Sequence, residues 1–258
     1  MESRAGSGSQ KTNFHPQTRR GKSQAARCAR PACGGAKHEM KAASSYVNEF
    51  RPLAQTPAGQ RAIEQHHIPP FIDASCRREP DLESAFPSIT ALCREGYFAP
   101  RLQVGDVVAY MTGNLIFPPK TPRSRRLVAV LRIKHSWSTH QEAAAWYRAQ
   151  KLPLPGNCMV RGNEPLPLDY TDRYQDDLRA WEAHYWQVAR KHGDFHACEK
   201  IFCDVNAPPR LTNRQLVEWF GMIPDPRDPQ PLAAKKFILM LEWLWGQPAF
   251  AASRQKLQ

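Results

Sequence analysis

The segment from Asp73 to Arg94 holds the densest run of chemically capable side chains in this 258-residue sequence. Asp73, Glu79, Asp81 and Glu83 put four carboxylates into one short stretch. If they converge, they could hold a divalent cation or supply a general base. Arg77 and Arg78 stand among them, and neutralisation as surface ion pairs is the reading that the spacing favours. Cys76 and Cys93 are candidate nucleophiles only where an imidazole lies near, and His66, His67 and His135 are the available ones in this region. Small buried thiols are the commoner outcome. Asp73 or Glu79 as base, with Cys76 as nucleophile, therefore defines an enzymatic alternative acting on nucleotides or bases.

A second pattern overlaps the first. Arg77, Arg78, Arg94 and Arg101 are interleaved with Tyr97 and Phe98. Guanidinium groups fork onto phosphates, while aromatic faces stack unpaired bases. The competing reading is loop arginines scattered over the surface with the aromatics turned inward. On the nucleic-acid reading the four arginines contact phosphate and Tyr97, Tyr110 or Trp137 supplies a stacking face. Asp73, Ser75 or Thr112 then bonds the base edge. Tyr110 comes from the strand that follows the segment, and Thr112 stands just after it.

Neither metal nor cofactor is expected. Cys28, Cys33 and His38 lack a fourth ligand nearby, and in the set His184, His192, His196, Cys198 and Cys203 the first two sit on or beside a helical stripe while Cys203 falls in a strand. There is no Gly-rich phosphate loop, no Gly-x-Ser-x-Gly and no His-Glu-x-x-His.

The elements that must position these residues follow from pattern. Gly105-Asp106 is a turn that launches a short buried strand, Val107 to Met111. Arg125 to Ile133 alternates apolar residues on both sides, as in a strand covered on both faces. Ile68 to Asp73 offers a first strand confined to an edge by Pro69 and Pro70. Ile89 to Cys93 suits a strand or one helical turn. From Tyr46 to Gln65 the pattern reads as a weak helix broken by Pro52 and Pro57, which would start the ordered domain near His66. Thr139 to Gln150 is a helix by its capping spacing, and Asp172 to Gly193 is the longest helix, with Tyr174, Leu178, Trp181, Tyr185 and Val188 as its core stripe. A strand over Lys200 to Val205, a helix capped at Thr212 and ended by Gly221, and an apolar helix from Ala233 to Trp245 complete the chain.

The totals agree with a soluble, loop-rich domain. Hydrophobic residues make up 41%, with 23 prolines and a formal net charge of +12. Nine Lys and Arg in residues 1–41 face only Glu2 and Glu39, so this stretch carries +7. A polyanion partner, nucleic acid first, fits that balance. Residues 1–45 read as a disordered basic tail, in which Met40 could be the true start. The longest apolar run, Phe237 to Trp245, is about half a membrane span. Seven cysteines without the spacing of a disulfide scaffold point to a reducing cytoplasm.

Asp73 with Ser75, Pro87 to Arg94, Phe98 to Leu102 and Val104 to Val108 resemble a nucleotide-modification-associated (Nmad) domain of bacteria and phage. The Gly-Asp turn with the strands beside it is similar to the PUA-like folds of the ASCH, EVE and YTH groups. The likeness covers residues 66 to 160. It implies a small barrel that holds RNA or a modified base, within a DNA-modification or phage-defence system. The expected fold is α+β: a small mixed or barrel-like sheet over 46–170, with packed helices and a helical C-terminal part over 171–258. The expected function is a nucleic-acid-associated binding module. A regulatory subunit that docks through the 233–245 helix is the remaining alternative.

Overall fold

A computed structural model describes residues 42–92, 96–116, 122–172, 178–225 and 229–247. Two compact units divide the chain, Met1–Met40 and Lys41–Gln258, and every described residue belongs to the second.

The Gly105-Asp106 turn does what its residue types allow. Gly105 takes φ +95°, a region that side chains disfavour. The Asp106 carboxylate accepts the backbone amides of Ser44 at 2.7 Å and Gln103 at 3.0 Å. Strand β1 (Ser45–Phe50) is thereby fixed beside β3 (Val107–Thr112), and the two pair in parallel. On the far side of β3 runs β4 (Arg125–Trp137), then β5 (Phe195–Cys203), then β2 (Ser88–Thr90), all antiparallel to their neighbours. β6 (Arg210–Leu211) pairs with the start of β4. The six strands form one curled half-barrel sheet.

Both faces of that sheet are buried, which accounts for the unbroken apolar run of β4. Tyr46, Phe50, Val108, Tyr110, Leu131, Ile133 and Ile89 of β2 meet the loop residues Phe71, Leu82 and Phe98 on one side. Val47, Ala109, Met111, Leu127 and Val130 meet α4 (Asn213–Phe220) and α5 (Ala234–Gly246) on the other. Each fully buried Leu, Ile, Val, Met or Phe adds about 1.5–3 kcal/mol to such a core. α2 (His140–Ala149) sets Ala143, Ala144 and Tyr147 on Phe195 and Ala197. Val188 of α3 (Leu178–Lys191) packs with Leu92 and Met159.

Several expectations are corrected. Tyr46 to Phe50 is strand, because Tyr46 and Phe50 face one core and Val47 the other. The ordered region therefore begins well before His66. Pro57 opens α1 (Pro57–His66) instead of breaking a helix, since Thr56 caps it and proline suits the first helical position. Residues 68–73 are turns with a single bridge from Asp73 to Pro52, as two prolines cannot donate to a ladder. β5 starts at Phe195 rather than Lys200 and lies between β4 and β2, so the C-terminal part is woven into the sheet and is not a purely helical addition. α3 is described from Leu178; Tyr174 lies outside the described residues, as do Cys93 and Arg94. α5 buries Phe237, Met240, Leu241 and Leu244 but leaves Ile238 48% and Leu239 41% exposed. Among the described residues no helix is long and apolar enough to cross a membrane.

Candidate nucleic-acid interface

The acidic and basic residues ahead of β3 build a buried polar brace. Arg77 is 1% exposed. Its guanidinium grips Glu182 of α3 with two hydrogen bonds, one of them Nε to Oε2 at 2.8 Å. Its Nη1 donates to the carbonyls of Gly156 at 3.1 Å and Asn163 at 3.0 Å. Arg78 donates to the carbonyls of Asp73 (2.6 Å), Ser75 (3.1 Å) and Tyr170 (2.8 Å), and to Glu83 at 3.2 Å. Both guanidiniums thus spend their donors inside the protein, where they hold loops together.

The carboxylates are as fully engaged. Asp73 accepts from Ser75 Oγ at 2.5 Å, the Ser75 amide at 2.9 Å and the Glu79 amide at 3.0 Å. Asp81 accepts the amides of Glu83 and Ser84 at 3.0 Å each, and that of Gly156 at 2.6 Å. Glu79 accepts from Thr90 Oγ1 at 2.5 Å, the Thr90 amide at 3.0 Å and Asn157 Nδ2 at 2.9 Å. Burial raises the pKa of both Asp73 and Glu79, the latter to about 8, against the opposing pull of these donors. A raised carboxyl in a cleft can mark a catalytic acid. The void beside Glu79, which Tyr110 and Thr90 also line, holds only about 10 Å³. Ligand sites run to roughly 300 Å³ and above.

The remaining candidates are dispersed. Cys76 is buried. Tyr110 is a core ring edge-on to Phe50 at 6.2 Å, and Thr112 is buried, with its hydroxyl accepting the Arg126 amide at 3.0 Å. Tyr97 is 56% exposed, and the Arg101 guanidinium lies 5.2 Å from its ring centroid while also bonding the Pro229 carbonyl. Asp73, Arg77 and Thr112 face inward while Tyr97 and Arg101 face solvent, so these residues do not line one hollow.

Trp137 has company that the sequence did not announce. At the end of β4 its ring lies 5.6 Å from His135 and 5.4 Å from Trp146 of α2. His135 and Trp146 are 4.7 Å apart, and Phe86 meets Trp146 edge-on at 5.2 Å. All four rings are partly exposed and form an aromatic ledge beside α2.

Across α2 from that ledge is a cavity of about 530 Å³, lined by Gln141 and Arg148 of α2, Val160 and Arg161 of the following loop, and Trp186 and Arg190 of α3. None of the six is acidic. The three arginines are exposed, and their guanidiniums make no hydrogen bond or ion pair among the described residues. The cavity has definite walls. Tyr147 Oη donates to the Phe86 carbonyl at 2.7 Å, His140 Nδ1 accepts the Met159 amide at 3.1 Å, and Arg77 joins α3 to the 156–163 loop. These residues do not stand out as a group in the sequence because they come from three separated segments. Their signal lay in arginines on α2 and α3 with no acidic residue one helical turn away on the same flank.

Among the described residues no group of three His, Cys, Asp or Glu is placed to hold a metal ion. No protein family, curated protein or solved structure matches the chain.

Proposed function

We propose that the protein is a nucleic-acid-associated binding module whose phosphate contacts are made at the α2–α3 cavity. The observation that carries this is the set of Arg148, Arg161 and Arg190 around one space of about 530 Å³, with Trp186 as a flat wall and no acid in the lining. Guanidiniums answered by no carboxylate suit a polyanion, and a neighbouring indole suits a base. The formal charge of +12 draws such a partner in over a longer range. Tyr97 with Arg101, and Trp137 in the aromatic ledge, are accessory contacts in this reading, while Arg77 and Arg78 support the walls. The likeness of residues 66–160 to Nmad and PUA-like domains points the same way, towards a role beside DNA-modification enzymes.

Fluorescence anisotropy with labelled DNA and RNA at low salt tests it. Binding that weakens as salt rises, and is lost when Arg148, Arg161 and Arg190 are together replaced by Ala, is the expected result. Undetectable affinity for every nucleic acid at low salt rules the reading out.

A further inference from the structure

We infer that the partner is a single strand that crosses over α2, its phosphates in the arginine cavity and its bases on the aromatic ledge. This rests on the nucleic-acid reading above. Successive helix residues are rotated by about 100°, so Arg148 and Trp146 stand roughly 160° apart around α2. Gln141 shares the Arg148 flank. The buried side, Ala143, Ala144 and Tyr147, faces the sheet. Between the two flanks the outer crest carries Ala145 and Ala149, both exposed and both small. Nothing bulky on that part of the crest obstructs a chain passing from one flank to the other.

The one acid on the crest is Glu142, at the N-terminal end. Its carboxylate is held by Ser138 Oγ at 3.2 Å and Thr139 Oγ1 at 3.0 Å, which turns it toward the helix cap and away from Ala149. The crossing is therefore open towards the C-terminal end, where Arg148 sits. An α-helix with its side chains is about 10–12 Å across, so the two binding surfaces are separated by more than one nucleotide step of about 3.4 Å in a stacked strand. A duplex keeps its bases paired within the stack and cannot lay them on Trp137 and Trp146. A single strand can. Stacking on side-chain rings tolerates any base, so the binding expected is selective for strandedness and weakly selective for sequence.

The test uses the full chain and a short unstructured oligonucleotide, as deoxyribose and ribose versions and as the matching duplex. An oligonucleotide containing 2-aminopurine reports stacking by loss of emission. The expected results are tighter binding of the single strand than of the duplex, quenched 2-aminopurine, and roughly tenfold weaker binding by Trp146→Leu with an unchanged salt slope. Binding of either sugar form supports the inference, and the stronger one identifies the nucleic acid. Circular dichroism confirms that the variant is folded, and the 2-aminopurine signal of the unaltered protein decides the matter if it is not. Equal or tighter duplex binding, or unquenched 2-aminopurine, overturns the inference. If Arg148→Glu abolishes binding while the tryptophan variant and 2-aminopurine show nothing, only the strand path fails. If no oligonucleotide binds, the function proposed above fails with it.

Discussion

Asn157 Nδ2 donates to Glu79 Oε2 at 2.9 Å, a bond between residues 78 apart in the chain. It ties the polar brace to the loop that walls the arginine cavity, so a buried acid and a surface site share one support. Burial lifts the Glu79 carboxyl from its ordinary 4.5 to about 8. A folded-state value above the unfolded one gives stability that is full below about 4.5 and is lost as pH rises towards 8. His140 acts in the opposite sense, because burial lowers it from 6.5 to about 4 and its contribution is lost as pH falls through that window. Urea denaturation across pH 4 to 9 should show wild-type stability falling on the alkaline side, with a shallower fall in Glu79→Gln. Parallel curves would refute the assignment.

Removing Arg77 should be costly. Arg77→Ala leaves Glu182 and the carbonyls of Gly156 and Asn163 without their donor. Loss of one partner from a buried ion pair costs about 3–5 kcal/mol. The urea midpoint should drop accordingly, and Arg77→Lys should recover only part, since a point charge cannot reproduce a forked contact.

The cavity arginines should behave in the reverse way. Arg148→Ala, Arg161→Ala and Arg190→Ala remove exposed groups with no internal partner, so each should shift stability by less than about 0.5 kcal/mol. Each should also reduce the slope of log affinity against log salt by about 0.7 for a single strand. Parallel thermal melts and salt titrations separate the two effects.

Tyr147→Phe should cost about 1–3 kcal/mol, because it leaves the Phe86 carbonyl unpaired. The lost bond is also one that holds α2 against the loop before β2, so nucleic-acid affinity should weaken although no surface charge changes. A melt and an anisotropy titration on the same preparation check both parts.

The buried thiols Cys76, Cys158 and Cys198 should be inert in the native protein. Burial pushes Cys158 up to about 12 and Cys203 up to about 11, and raises Cys198 too. Iodoacetamide labelling at neutral pH followed by mass spectrometry should leave Cys76, Cys158 and Cys198 unmodified until denaturant is added. Cys76→Ser should leave nucleic-acid binding intact. Rapid native labelling of Cys76 would reopen its case as a nucleophile.

Local rules carried most of the elements. Gly105-Asp106, the Thr139 and Thr212 caps, the Gly221 stop and the two-sided β4 were all legible because each is decided by residues within a few positions. β1 was not, since Pro52 and Pro57 masked an alternation of only three core residues. The site was the least legible part. Whether Arg77 meets phosphate or Glu182 depends on a partner 105 positions away, and spacing near Arg77 carries no trace of it. The cavity has the same difficulty, being assembled from α2, a loop and α3, whose contributions look ordinary one at a time.

The placement of β5 has a consequence for how the protein is made. During synthesis β3 and β4 leave the ribosome early, yet one edge of β4 stays bare and β2 has no strand to pair with until residues 195–203 emerge. For that interval the nascent chain displays a sticky, half-finished edge. A C-terminal truncation before Phe195 would make that condition permanent, and should yield aggregate rather than a smaller working protein.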